Sequence, residues 1–459
     1  MEQSPRDGKV YIPLIFFTFL EEGWASPKSG RGEAGVMAIY EIRDPVYGFI
    51  QLNEWEKQII DQPAFQRLRR IRQLGLADMV YPSAIHSRFE HSLGVMHLAT
   101  LMYDALQEKE INITLLKEEL SYENDGIKRD RQLIRIAALL HDVGHTALSH
   151  AGEECMPSTS SGKKYRHEDY TAAIVREKLK DTIEKHQYNK ANYHITAEEV
   201  AYLIEGNEIE LGKKIFWKAL ISSQLDADRG DYLLRDSIHT GVKYGLFDYN
   251  RLINTISLGI EPEENQLVLA VDEGGLHVAE ALILARYSMF TQVYFHKTGR
   301  AYNCHLNQAL RSFLPNGTFP PPNKLDDFLD WDDWKIFQLI KQNAGTNCDC
   351  DAILQRKHIR RVYETLEQKN EKDLEKLERA KDVLGPLLAH EDKASNVWYN
   401  MSEDEGNKEI FIIYRDKVRP LSLLSKIAKN IGSIDQIRLY TLPEDRERAE
   451  ALLKVEGLI

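Results

Sequence analysis

The chain has 459 residues, 43% of them hydrophobic, enough for one large core or one core with a smaller appended domain, because single cores stop growing near about 250–300 residues. Its 71 acidic against 59 basic side chains leave a net charge of −12, which excludes a generally basic surface for nucleic acid or anionic lipid and restricts any polyanion site to a local pocket. The four cysteines, Cys155, Cys304, Cys348 and Cys350, are too few and too scattered for a disulfide framework or a two-pair zinc site, and read as reduced thiols in a cytoplasmic protein.

Residues 1–36 stand apart in composition and are expected to be a loosely attached extension, or to lie upstream of a start at Met37. Their apolar run over 10–20 is too short to span a bilayer and lacks a clearly positive flank for a signal peptide. Gly30, Gly32 and Gly35 match GxGxxG, but no strand leads in and the β-like VMAIYEI follows where a helix should open, so dinucleotide binding is not supported.

From Asn53 onward apolar residues recur at three- and four-residue spacing, predicting a helix over 54–75 that stops at Gly75, then helices over 92–106, 131–140, 168–179 and 216–225. A long helix over 276–313 is expected to close the core before the Pro-rich stretch 315–323 breaks it. Strands are expected only over 266–271, 409–414 and 436–440, with a charged, solvated helix over 367–382. The prediction is an all-α core with minor β elements, followed by an α+β region over 315–459.

The sequence HDVGHTALSH, residues 141–150, follows the apolar run 134–140. His141 and Asp142 together offer an imidazole and a carboxylate to one divalent metal. His145 falls one turn later, on the same face if the helix continues, and His150 follows. Helix capping or a core hydrogen bond competes with this reading for any single histidine, and the density of the cluster argues against it. Upstream, RFEHSLG supplies Arg88 and His91. Downstream, DADRGDYLLRD, residues 226–236, sets several acids and two arginines on a helix with inward-facing leucine and tyrosine positions.

This ordered series resembles the HD-domain phosphohydrolases, and within them the deoxynucleoside triphosphate triphosphohydrolases, over about residues 44–310. The resemblance implies an HD-domain helical bundle over 37–314. It implies that His91, His141, Asp142 and Asp228 hold a divalent metal such as Fe, Mn, Zn or Mg, which suits hydrolysis by acidifying water and polarising a phosphoryl oxygen. Arg88 would contact the attacked phosphate, since guanidinium geometry matches phosphate, with a surface pair to Glu90 as the alternative. His145 would protonate the leaving sugar oxygen. His167 would stand near a second metal or a phosphate oxygen, and His150 is either a further site group or an orienting one.

By the same resemblance Gln73 reads the 3′-hydroxyl, Leu74 crowds the 2′ position, Tyr232 packs on the sugar and Asp236 accepts from its 3′-hydroxyl. Arg229 occupies the place of a lysine that relatives direct at the phosphates. Tyr294, His296 and Lys297 form the Tyr-x-His-Lys stretch beside base and phosphates, whereas Phe295 cannot make the polar base contact of better-known relatives. Tyr232 and Tyr294 lie on apolar helix faces and also read as core residues. The basic segments 67–72 and 356–361 read as solvated or ion-paired faces, or as sites for an activating nucleotide between subunits.

The implied activity is conversion of a dNTP, dGTP first, to deoxynucleoside and triphosphate by a cytoplasmic homo-oligomer, a tetramer by resemblance, with no membrane association and no nucleic acid as main partner. The alternatives are another HD-type nucleotidase or phosphodiesterase, or a nucleotide-sensing module without turnover.

Overall fold

The helix Arg88–Gln107 begins in a capping box, the Glu90 carboxylate accepting from the Ser87 N–H at 3.2 Å, and it is buried on every side through Leu93, Met96, Leu98, Met102 and Leu106. A helix apolar all round belongs at the centre of a bundle. In this computed structural model, which describes residues 39–121, 124–396 and 409–459, it packs against the helices Asn124–Leu140 and Ala227–Thr240, while His167–Glu177 pairs with Ala197–Glu205. Ile39–Ile459 forms one compact unit. The expectations for the extension, its apolar run and its GxGxxG lie outside the described residues.

Close approach at one glycine positions the site. A Cβ on Gly94 would stand 1.9 Å from Asp231 Oδ1 and 2.4 Å from Arg235 Nη2, so only glycine lets the Ala227–Thr240 helix come near enough to bring Asp231 to His91.

Nine described strands form three small sheets. β1 (Ile39–Asp44) and β2 (Gly48–Asn53) make an antiparallel hairpin with Ile39 opposite Asn53. β3 (Ile256–Ile260), β4 (Leu267–Asp272), β7 (Phe411–Tyr414) and β8 (Lys417–Pro420) run in the order β3-β4-β7-β8, with β4 and β7 parallel. β5 (Arg360–Glu364) and β6 (His390–Asn396) flank β9 (Ile434–Thr441), both antiparallel to it. The fold is mainly helical with minor β elements. Past Pro315, Phe319, Phe328, Trp331 and Ile340 join the main helical core, whereas Val362, Leu377, Leu439 and Leu453 build a smaller one between sheet and helix.

Several predicted helices differ in extent. The expected helix over 54–75 is instead two short helices, Glu54–Ile60 and Pro63–Gln66, and a 3-10 turn, Arg67–Arg70, because Pro63 removes an N–H and Gln62 before it is extended. The segment expected as a helix over 216–225 is a 3-10 helix, Gly212–Leu220, pinned where buried Trp217 Nε1 donates to Asp130 at 2.7 Å. The long helix expected over 276–313 is broken: Leu276–Met289 passes into a π-turn, Phe290–Tyr294, in which Phe295 N donates to Phe290 O at 2.8 Å. His296 then turns extended and caps the next helix, Lys297–Phe313, its Nδ1 accepting from Thr298 N. Such π-turns are frequent at functional sites. The cysteines are free, and no described helix is long and apolar enough to cross a membrane.

Candidate metal centre and adjoining pocket

The helix Asn124–Leu140 ends just before His141, so His145 does not continue its face as expected; a turn closed by Val143 N on Leu140 O and His145 N on Asp142 O gathers the cluster instead. His91 enters from the central helix. Its Nδ1 donates to Asp231 Oδ2 at 2.8 Å, and that of His141 donates to Ala138 O at 2.8 Å. Both rings therefore aim Nε2 inward, and neither Nε2 has a hydrogen-bond partner although both are buried. His91 Nε2 lies 3.5 Å from Asp142 Oδ2 and 3.0 Å from Asp228 Oδ1; His141 Nε2 lies 3.4 Å from Asp142 Oδ1 and 3.8 Å from Asp228 Oδ1. His91, His141 and Asp142 hold their ligand atoms within 4.8 Å of one another.

Two orphaned imidazole nitrogens facing two carboxylates, each imidazole oriented from behind, fit a divalent cation. The electrostatics agree. Burial alone would lower the His91 pKa, but Asp228, Asp231 and Asp142 push it up to about 10, the sign of an anionic cage that takes up positive charge. Arg88 is also buried here, pairing with Asp142 and donating to Ser149 Oγ at 2.9 Å rather than meeting Glu90.

A second cluster adjoins it. Glu153 bridges two imidazoles, its Oε2 at 2.9 Å from His150 Nδ1 and its Oε1 at 2.8 Å from His167 Nδ1. Burial would raise the Glu153 pKa, but the two histidines hold it well below the usual range. Burial likewise opposes the charge on His167, yet Glu153 and Glu168 carry its pKa up to about 9. His145 is different. Its side chain is 1% exposed, lies 3.2 Å from Asp142 Oδ1 and stacks on His167 at 3.9 Å, and burial together with Arg88 and His167 holds it well below the ordinary histidine range, so it is neutral. These four residues, His145, His150, Glu153 and His167, also converge closely enough to hold a cation.

Beside both clusters lies a cavity of about 420 Å³. Of the expected contacts, Gln73, Leu74, Arg88, His150, Tyr232, Asp236, Tyr294 and His296 line it; His145, His167, Arg229 and Lys297 do not. Arg229 is turned onto Asp226, the N-cap of its own helix, whose carboxylate it pairs with. Lys297 lines a separate basic cavity of about 110 Å³ with His358, Arg360, Arg361 and Arg446. There Arg361, then burial and Arg446, hold the lysine below its ordinary pKa.

The basic segments divide. Arg67, far from being solvated, is 1% exposed and donates to His145 O at 2.8 Å and to Trp331 O at 2.7 Å. Arg70 pairs with Asp332 and Arg72 with Asp78, as ion-paired faces do.

The sequence reading missed Glu153, Asp231 and Arg300. Glu153 follows His150 by three residues, a spacing that could have exposed the pair. Asp231 sits inside the quoted acidic helix with nothing local to single it out. Arg300 and Asn303 also line the cavity, and Arg300 is anchored by Asp392 of β6 at 2.9 Å.

Comparison with known proteins agrees with this architecture. The HD domain family matches residues 88–233, and the HD associated region matches 247–451. An uncharacterized protein of Methanocaldococcus jannaschii, MJ1154, is 28% identical over 91% of this chain and 72% of its own length. Human deoxynucleoside triphosphate triphosphohydrolase SAMHD1 is 29% identical over 63% of this chain, but the match spans only 45% of that enzyme. The crystal structure of a hypothetical protein from Aquifex aeolicus superposes with a TM-score of 0.72 at 30% identity, covering 91% of this chain and all of that one. The chain belongs to the HD-domain phosphohydrolase family. A metal-dependent hydrolase is the class that fold and site define.

Proposed function

We propose that the protein hydrolyses deoxynucleoside triphosphates to deoxynucleoside and triphosphate, with dGTP the first substrate to test. The observation that carries this reading is the junction of the metal centre with the cavity: Arg88 borders both, and Gln73, Tyr232, Asp236 and Tyr294 stand beyond it, a set suited to a hydroxylated sugar. The SAMHD1 likeness supports the same substrate class. A divalent cation held by His91, His141, Asp142 and Asp228 would supply Lewis acidity and acidified water.

The chain's own side chains divide the remaining work. Hydrolysis joins a water oxygen to the α-phosphorus and breaks its bond to the sugar 5′-oxygen, which must gain a proton. Arg88 steadies the attacked phosphate. We assign the proton to His150 in place of His145: His150 lines the cavity, and Glu153 on its Nδ1 leaves Nε2 to donate, whereas His145 is buried and neutral. Protonated His167 attracts a phosphate oxygen. Leu74 crowds the 2′ position.

The basic cavity around Lys297, with segment 356–361 on its rim, suits the phosphates of an activating nucleotide, and a cytoplasmic homo-tetramer completes the reading. The test is product analysis with each dNTP and NTP, with Mn²⁺ or Mg²⁺ and with chelator. Triphosphate release from dNTPs that His141→Ala and Asp228→Ala abolish is the expected result; monophosphate with pyrophosphate, or equal use of ribonucleotides, refutes it.

A further inference from the structure

His86 belongs to none of the groups so far given a role, yet it touches both residues that would read the sugar. It is 3% exposed. Its Nε2 lies 2.8 Å from Asp236 Oδ1, while its backbone carbonyl accepts from Gln73 N at 2.9 Å. The other Asp236 oxygen accepts from Tyr294 Oη at 2.7 Å. The carboxylate is thus clamped from two sides in one orientation at the cavity wall, with lone pairs left over, since each oxygen has one partner here and room for two.

Gln73 completes the arrangement. It lines the same cavity. His86 is itself held rigidly: its ring stacks on His239 at 4.2 Å and 14°, His239 Nε2 lies 3.6 Å from Glu90 Oε2, and Glu90 caps the helix that carries Arg88 and His91. One residue therefore ties the hydroxyl-reading wall to the helix that bears the metal ligand.

We infer that His86 is the positioning residue of this pocket, fixing Asp236 through its side chain and Gln73 through its backbone so that both meet one ligand hydroxyl, the sugar 3′-hydroxyl, which donates to Asp236 and accepts from the Gln73 amide. The inference rests on the proposed function for the identity of that ligand. It predicts that the pocket distinguishes a 3′-hydroxyl from its absence through His86, with little effect on phosphate affinity.

The test is equilibrium binding, in Mn²⁺, of dGTP and 2′,3′-dideoxy-GTP analogues whose α-phosphate carries sulfur to block turnover, to the full chain and to His86→Ala and His86→Gln. The wild type should prefer the 3′-hydroxyl ligand by about 10- to 100-fold, the range of a hydrogen bond to a charged group. His86→Ala should bring the ratio near one by weakening the hydroxylated ligand alone. His86→Gln, which can still donate to Asp236, should restore most of it, and this rescue separates positioning from a general loss of fold. A wild-type ratio near one, no binding of either ligand, an unchanged ratio in His86→Ala, or equal weakening of both ligands overturns the inference. Absence of dNTP turnover with the ratio and its His86 dependence intact refutes the triphosphohydrolase reading and leaves this one standing.

Discussion

Asp333 accepts the backbone N–H of Leu148 at 2.7 Å, and its other oxygen accepts that of Arg72 at 2.7 Å. Leu148 has φ +60°, a conformation leucine rarely adopts, and it sits in the segment between His145 and His150. A carboxylate from beyond Pro315 thus fastens two loops of the site. Asp333→Ala should leave two N–H groups without partners and cost about 2–5 kcal/mol. Denaturant unfolding checks this; a loss within about 0.5 kcal/mol, the range of a neutral surface change, would remove the clamp's role.

Separate variants distinguish the two candidate proton donors. His150→Ala should lower the single-turnover rate by about 100- to 10,000-fold, the usual contribution of a general acid, with bound metal unchanged. His145→Ala should chiefly lower stability, because it empties a buried site beside Asp142. Rate and metal content measured on both decide the matter. A fully active His150→Ala would return the role to another group.

What was legible in the sequence follows from distance along the chain. His141 and Asp142 are adjacent and read as a metal pair by themselves, whereas His91 and Asp228 joined them only through the resemblance of the surrounding motifs to the HD-domain phosphohydrolases. His86 and Asp236, by contrast, meet across 150 positions and carry no local mark. Apolar periodicity runs unbroken through Phe290–Tyr294, and the π-turn there is accompanied by tertiary anchors that the sequence does not mark, Tyr294 on Asp236 and Tyr81 on the Gln292 carbonyl. Arg229 and Lys297 had the right chemistry, but local partners and helix facing decide direction: Asp226 claims the first, and the second faces the other cavity.

The Glu153–His167 contact makes a pH prediction. The folded His167 pKa of about 9 lies above its ordinary 6.5, so the stabilisation it brings is fully present below about pH 6.5 and is lost as pH rises through 9. If the protonated ring attracts phosphate, inorganic triphosphate should bind progressively more weakly between about pH 7 and 9.5, and His167→Gln should flatten that slope. An identical pH profile in wild type and His167→Gln would exclude the ring from phosphate binding.

Asp231 touches no ligand in this reading, yet the cage depends on it. Burial would raise its pKa, but Arg235 and His91 hold it at about 2, so it is a carboxylate at neutral pH and keeps the proton of His91 on Nδ1. That leaves Nε2 as the nitrogen that faces Asp142 and Asp228, free to give up its proton to a cation. Asp231→Asn presents one oxygen where Arg235 and His91 compete for two, so the ring loses its fixed tautomer and its orientation. Metal affinity should fall by about 10- to 100-fold in a chelator competition, the usual effect of removing such an orienting partner. Wild-type affinity in a folded Asp231→Asn protein would mean that the packing around Gly94, and not this hydrogen bond, aims His91.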